Sequence, residues 1–304
     1  MRGGRTRRVP LRAAGFTLIE IAVVIVVLSL LLAMMAGIAT AMLGQQRREA
    51  TRQRLAGVET AIALFVSQHK RLPCPADGRL PSDNSDAGLE KRLAGGACQV
   101  LAGTANSQTH GVVPWRTLGL AEPDVTDGWG NRLTYRVAPE LVATDAMDFT
   151  ACDPGADASG GPLGACTSPC PSGTWPSGCS NPRRVTADKG LKVRTLAGTL
   201  VMNPVDPSTG AAYVAISHGE NGQGAYNSQG VLQSGATASG TIEAANNAAN
   251  VAFVHAASTT LADADAFVDD FPRYGAGTDH FDDFVLRPAI LTVATKAQLG
   301  PRAH

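Results

Sequence analysis

The residues of this chain that could do chemistry are six cysteines, six histidines and several carboxylates. An even number of cysteines predicts disulfides in an oxidising compartment. We expect Cys74 and Cys98 to pair, while the other four cysteines allow three pairings. A zinc site is the alternative, but the cysteine spacing has no paired C-x2-C knuckles, and no histidine lies nearby in the sequence. Disulfides are therefore favoured for the full set: Cys74, Cys98, Cys152, Cys166, Cys170 and Cys179.

Catalytic motifs are not recognisable in the sequence. It contains no G-x-S-x-G, no Walker A motif, no H-E-x-x-H and no G-x-G-x-x-G. Ser217 and His218 are a candidate nucleophile and base, but neighbouring residues of a strand point to opposite faces of a sheet. We therefore expect no enzymatic activity.

The elements that must position these residues begin with a long uncharged segment. From Ile21 to Gly44 the chain has no charged residue and no proline. These 24 residues would form a helix of about 36 Å, which is enough to cross a bilayer core of roughly 30 Å. A buried core helix rarely runs this long without a polar face, and a secretory signal peptide has a shorter apolar region. The segment therefore predicts a transmembrane helix.

The distribution of charge predicts the orientation of that helix. Five arginines and no acid lie in residues 1–15, and basic flanks stay on the cytoplasmic side of a membrane. The rest of the chain should therefore be exported. Basic and acidic residues number 26 each in the whole chain, so loss of the five arginines leaves 21 basic against 26 acidic residues. This negative balance argues against nucleic acid as a partner.

One carboxylate, Glu20, lies at the start of the apolar run, where an unpaired charge is costly. The segment Gly15-Phe16-Thr17-Leu18-Ile19-Glu20 follows a short basic leader and resembles the processing site of type IV pilins and type II secretion pseudopilins. The resemblance implies cleavage after Gly15 by a prepilin peptidase and N-methylation of Phe16. It also implies that Glu20 pairs with the N-terminal amine of a neighbouring subunit in a helical filament. A single-pass membrane protein that merely mimics the motif is the alternative.

The helix should continue beyond the apolar run. Between residues 45 and 70, apolar side chains recur at steps of three and four residues, namely Leu55, Val58, Ile62, Phe65 and Val66. We expect this stripe to pack on the sheet of its own domain rather than on a membrane surface or a partner. Pro73 and Pro75 should follow the end of the helix.

These features predict an α+β fold with four parts, the pilin-like architecture that the resemblance implies. The parts are a cleaved leader (1–15), a transmembrane helix (16–44), an amphipathic helix (45–70) and a globular head (71–304). Runs rich in β-branched residues predict a mainly antiparallel sheet, with strands at 133–137, 191–195, 199–202, 212–216 and 283–286. A cysteine-rich insertion at about 150–182, rich in Gly, Pro and Ser, should be held by disulfides.

The resemblance extends to segments of the head. Asp127-Gly128-Trp129-Gly130-Asn131, with Tyr135 after it, resembles a pseudopilin segment in which a turn leads into the first strands. Some major pseudopilins bind calcium in a Gly-rich loop near the C-terminus. The counterpart here would combine carbonyls of residues 219–224 with Asp282 or Asp283, because calcium takes six to eight oxygen ligands. Solvated turns and caps are the favoured interpretation of these acidic residues, so we expect no resident cofactor.

The sequence thus predicts a non-enzymatic filament subunit, a pseudopilin or minor pilin. Its expected partners are a prepilin peptidase, other pilin or pseudopilin subunits, an inner-membrane assembly platform and, before assembly, the lipid bilayer. The protein should lie in the inner membrane with its head in the periplasm, or in a pilus or pseudopilus. The alternative is an adhesive or DNA-uptake pilin, although an aromatic content of 5% offers little stacking surface for DNA.

Overall fold

A single long helix forms from the apolar run and the amphipathic stretch that follows it. In the computed structural model this helix, α1, spans Leu18–His69. The structure describes residues 17–99, 108–150, 186, 189–204, 209–233, 242–247, 266–274 and 280–300. Two compact units divide the chain, Met1–Gln46 and Arg47–His304.

Where it is described, the unit Met1–Gln46 is helical and apolar on all sides. Its large apolar side chains, from Leu18 to Leu43, are about half exposed or more. Water solvates such a surface poorly, whereas lipid chains do not penalise it. Among the helices that the structure describes, α1 is the one long and apolar enough to cross a membrane. This observation confirms the length and composition expected of a membrane anchor.

In the unit Arg47–His304, α1 buries the predicted apolar stripe in the main core of the head. Val58, Ile62 and Val66 are fully buried, and Leu55 and Phe65 are nearly so. The prediction that the stripe packs on its own domain is therefore confirmed.

The helix ends at His69 because the next residue leaves the helical conformation. Lys70 has a positive φ of 56°. Its carbonyl accepts a hydrogen bond from the amide of Met147, and its Nζ donates to Asp148 Oδ2 at 2.6 Å. Pro73 and Pro75 follow at once and cannot continue a helix.

Short strands build the rest of the head. In the described part of the chain they are β1 to β12, at Ala76–Asp77, Gly111–Val112, Asn131–Arg132, Thr134–Val137, Val193–Arg194, Leu200–Met202, Tyr213–Ser217, Tyr226–Asn227, Phe267–Val268, Arg273–Tyr274, His280–Phe281 and Phe284–Leu286. The central sheet has the order β1-β2-β4-β7-β12, and all of its pairs are antiparallel. Smaller sheets pair β3 with β8, β10 with β11, and β5 with both β6 and β9.

Every residue of β4 and β7 is buried, so both faces of the sheet are covered at its centre. Their register pairs Tyr135 with Ala215 and Val137 with Tyr213. The rings of Tyr135 and Tyr213 lie 5.6 Å apart in the core. A second helix, α2 (Ile290–Lys296), buries Ile290 on the same core.

The predicted α+β, pilin-like architecture is confirmed by this arrangement. Each of the five predicted strand runs overlaps a strand. Four of these strands are shorter than their runs, whereas β7 has five residues and ends one residue later, at Ser217. Seven of the described strands lie outside these runs and were not predicted, namely β1, β2, β3, β8, β9, β10 and β11. The Pro and Gly residues around β1 and β2 are typical of loops. The pair of β5 with β9 is parallel, a local departure from the antiparallel pattern.

Candidate functional site

The carboxylate of Glu20 lies in the first turn of α1 and closes a capping box. The backbone N–H and the hydroxyl of Thr17 both donate to Glu20 Oε2, at 2.8 Å each. In return, the N–H of Glu20 donates to Thr17 Oγ1 at 3.3 Å. Such reciprocal bonds satisfy amide groups that a helix start leaves without partners.

Sequence reasoning missed this capping box. The signal was present, because Thr17-Leu18-Ile19-Glu20 follows the pattern of Thr or Ser, two residues and Glu before an apolar run. The finding gives Glu20 a local partner within its own chain. Gly15 and Phe16 lie outside the described residues, so cleavage after Gly15 and methylation of Phe16 stay predictions.

The loop after α1 is held by the predicted disulfide. Cys74 and Cys98 are bonded, with their Cα atoms 5.3 Å apart, and both are buried. This pairing is therefore confirmed. The other predicted disulfide cysteines, Cys152, Cys166, Cys170 and Cys179, fall outside the residues that the structure describes.

An ion pair reinforces the same loop. Arg71 donates to both carboxylate oxygens of Glu90, at 2.6 and 3.0 Å, and the amide of Cys74 donates to Glu90 Oε2 at 2.9 Å. Burial alone would raise the pKa of Glu90. The hydrogen bonds from Arg71 and Cys74 outweigh it, and the pKa lies below its usual value.

The segment that resembled a pseudopilin turn docks the sheet against α1. Asp127 Oδ1 accepts hydrogen bonds from the amides of Trp129 and Asn131, at 3.0 and 2.9 Å. Burial raises the pKa of Asp127. The amide of Gly128 donates to Thr51 Oγ1 at 2.9 Å. A Cβ at Gly128 would lie 2.3 Å from the carbonyl oxygen of Arg47, so only glycine allows this close approach.

Ser217 and His218 do not form a nucleophile–base pair. Ser217 Oγ donates to Asp127 Oδ2 at 2.8 Å, whereas Nε2 of His218 lies 2.8 Å from Thr134 Oγ1. Both residues are fully buried. Burial lowers the pKa of His218 to about 3, which keeps its ring neutral. The two side chains therefore serve separate structural contacts, as strand geometry predicted.

The calcium candidates Asp282 and Asp283 are placed against hydrogen-bond donors. Asp282 Oδ2 accepts from the amides of Glu220 and Asn221, at 2.7 and 3.2 Å. Asp283 Oδ2 accepts from Asn246 Nδ2 at 2.7 Å. These are contacts of carboxylates that hold a turn and a loop in place. Among the residues that the structure describes, no group of three or more His, Cys, Asp or Glu could hold a metal ion. Calcium at this loop stays an untested alternative to the solvated turns that the sequence favours.

A long N-terminal helix with an apolar first part, an antiparallel head and a disulfide after the helix together define a pilin-like architecture. Comparison with known families agrees with this class. Residues 11–36 match the family described as Prokaryotic N-terminal methylation motif. This motif is the hallmark of the prepilin-type proteins, the type IV pilins and pseudopilins, and the chain carries it. No curated protein and no solved structure matches the chain.

Proposed function

We propose that the protein is a pseudopilin or minor pilin. It is made as a precursor in the inner membrane, with its head in the periplasm, and then enters a short helical filament. The observation that carries the proposal is the methylation motif at residues 11–36, which overlaps the start of α1 and its apolar part. The family of that motif is structural, which supports a role without catalysis.

Glu20 is the residue that couples the membrane state to the filament in this proposal. In the single chain its carboxylate is held by Thr17. Two neutral donors do not offset a full negative charge inside an apolar environment. The positively charged amine of a neighbouring Phe16 would do so, because an opposite charge compensates the buried carboxylate. Docking of a second subunit in register would therefore stabilise Glu20 more than its own capping box does.

Processing gives the first test. A peptidase must approach the backbone closely at Gly15, and any side chain would obstruct that approach. We expect Gly15→Val to leave an uncleaved precursor in the membrane, detected by mass spectrometry of the N-terminus. Mature protein that still begins at Phe16 would contradict the assignment.

Assembly gives the second test. Glu20→Gln keeps the shape of the side chain and one acceptor oxygen but removes the charge. We expect membrane insertion and cleavage to persist, while the fraction of the protein in sheared filaments falls. Crosslinking to other subunits should be scored as well, because a rare or terminal subunit would lose contacts on one side only.

Glu49→Gln is the matched control for this substitution. Glu49 lies on the same helix, but its side chain is 59% exposed, and its ion pair with Arg52 is long at 3.8 Å. An exposed pair of this kind contributes little, so the control should partition between filament and membrane like the wild type. If Glu20→Gln and the wild type partition equally between filament and membrane, Glu20 does not have the role assigned to it in assembly.

A further inference from the structure

The side chain of Asn246 fills a gap between two sheets of the head in the way that a peptide group would. Its amide pairs with both backbone groups of Val268 in β9. The N–H of Val268 donates to Oδ1, and Nδ2 donates to the carbonyl oxygen of Val268, at 2.9 Å each. Nδ2 also donates at 2.7 Å to Oδ2 of Asp283, the residue before β12. One fully buried amide group therefore bridges β9 and the start of β12.

The strand β12 lies at an edge of the central sheet. Residues of an antiparallel strand direct their N–H and C=O groups alternately to the two sides. The amide of Ala138 donates to the carbonyl of Ala212, so the even-numbered residues of β7 face β4 and the odd-numbered ones face β12. The partners of these odd-numbered residues are Phe284 and Leu286. Val285 lies between them, and its N–H and C=O therefore point outward from the sheet.

A cavity of about 350 Å³ borders the outer edge of β12 at Val285. Segment 269–272 forms another wall, and the amide of Asp269 donates away from β12, to a carbonyl of β5. Asp283 lines the cavity as well, so the cavity begins where the bridge made by Asn246 ends. In the described part of the chain, the outward N–H and C=O of Val285 make no hydrogen bond to another segment. The cavity therefore has the backbone of an unpaired edge strand on one side.

The side chains around the cavity are partly apolar and partly charged. Leu55 and Ala56 of α1 line it, together with Leu286 of β12. Four carboxylates and one guanidinium line it too, and two of the carboxylates are held in ion pairs by the head itself, Glu59 with Lys296 and Asp269 with Arg287. Charges of both signs are present, so they do not select a charged ligand. Backbone groups and apolar side chains are the features that a ligand would meet.

We propose that this cavity takes one extended peptide segment of a partner protein, which adds to β12 as a further strand. The N–H and C=O of Val285 would pair with the peptide backbone, as the amide of Asn246 pairs with Val268. Main-chain hydrogen bonds would supply the affinity, and an apolar side chain of the peptide would pack on Leu55 and Ala56. The volume of the cavity lies in the range of ligand sites. The head would thereby hold a partner, which goes beyond the proposed role as a filament subunit.

Binding of a labelled peptide to the detergent-solubilised full chain tests the proposal. The probe is the peptide Thr-Val-Thr-Val-Thr with blocked ends and a fluorescent dye, because it is uncharged and its residues favour an extended backbone. We expect a saturable rise of its fluorescence anisotropy. The same peptide with every backbone nitrogen methylated is the control for backbone pairing and should not bind. Equal binding of the two peptides, or no saturable binding of the first, would overturn the proposal.

A proline at position 285 separates this edge from other surfaces. Val285→Pro removes the outward N–H but leaves the bonds of β12 to β7, because an edge strand tolerates proline where its N–H faces out. One hydrogen bond contributes about 1 kcal/mol, so binding of the peptide should weaken about fivefold or more. Val285→Thr is the matched control, since it keeps the N–H and should bind like the wild type. Unchanged binding by Val285→Pro would contradict pairing at β12.

A second variant tests the cavity without altering the backbone of β12. Ala56 is exposed and lines the cavity from α1, so Ala56→Trp should fill it and abolish binding of the peptide. Near-UV circular dichroism checks that the head of each variant is folded. Undiminished binding by folded Ala56→Trp would show that the peptide does not enter the cavity.

Hydrogen exchange shows whether the edge is free before the peptide is added. We expect the amide of Val285 to exchange quickly without the peptide and slowly with it. Protection without the peptide would mean that the chain itself or a second copy already pairs with this edge, and it would overturn the proposal. None of these measurements involves cleavage or filaments, so their outcome is separate from that of the proposed function.

Discussion

The close contact between Gly128 and α1 gives the sharpest test of how the sheet is docked. A Cβ at position 128 would lie 2.3 Å from the carbonyl oxygen of Arg47 and 2.7 Å from its Cα. Both are backbone atoms of a helix and cannot rotate away, so the turn must move. Overpacking of this kind costs about 1–3 kcal/mol. Separation would also weaken the hydrogen bond from Gly128 to Thr51, which contributes about 1 kcal/mol. We expect Gly128→Ala to lower the free energy of unfolding of the head by about 2–4 kcal/mol.

The measurement is thermal unfolding of the detergent-solubilised full chain, followed by near-UV circular dichroism. For a head of this size 1 kcal/mol corresponds to about 2–4 °C, so the midpoint should fall by about 4–16 °C. Gly57→Ala is the matched control, because Gly57 lies on the same helix and a Cβ there meets no atom within 4 Å. Alanine favours a helix over glycine by about 1 kcal/mol, so the control should raise the midpoint. A raised midpoint for both variants would refute the close approach.

Two further predictions concern the loop after α1. Thiol labelling of denatured, unreduced protein should leave Cys74 and Cys98 unlabelled, and labelling of Cys74 in the wild type would show that the pair does not form. Cys98→Ser should lower the free energy of unfolding by about 3 kcal/mol, because the unfolded chain regains the entropy that closing the loop had removed. The pKa of Glu90 lies below its usual value of 4.5, so its pair with Arg71 stabilises the head above pH 4.5 and is lost as the pH falls through the folded-state pKa. Denaturant titrations across this pH range should show that Glu90→Gln loses less stability in acid than the wild type does. Parallel curves of unfolding free energy against pH for the two proteins would contradict the stabilising role of the Glu90–Arg71 pair.

Local sequence was sufficient for the elements that depend on neighbouring residues. The length of α1, its apolar first part and its buried stripe follow from periodicity and from an uncharged run, and the structure confirms them. The pairing of Cys74 with Cys98 was predicted because the two flank one Pro- and Gly-rich loop. The capping box of Thr17 and Glu20 is equally local, since it needs only four consecutive residues, and its pattern is present in the sequence although it was not predicted.

The strands β1 and β2 could not be predicted from the local sequence in the same way. Each has two residues, too few for an alternating pattern to emerge. Their pairing with each other and with β4 depends on chain segments more than twenty residues apart. Only the folded chain brings those segments together, and their backbone groups then satisfy one another.

Tertiary structure alone decided what the isolated polar residues do. Arg132 is buried, and its guanidinium donates to Glu122, to the carbonyls of Gly78 and Leu80 and to Ser228, so it joins three separated loops. By itself the sequence determined the helix, its apolar first part and the methylation motif, because these depend on residues that are close together in the chain. The partners of a buried charge are chosen by desolvation, which acts only once distant segments have packed around it.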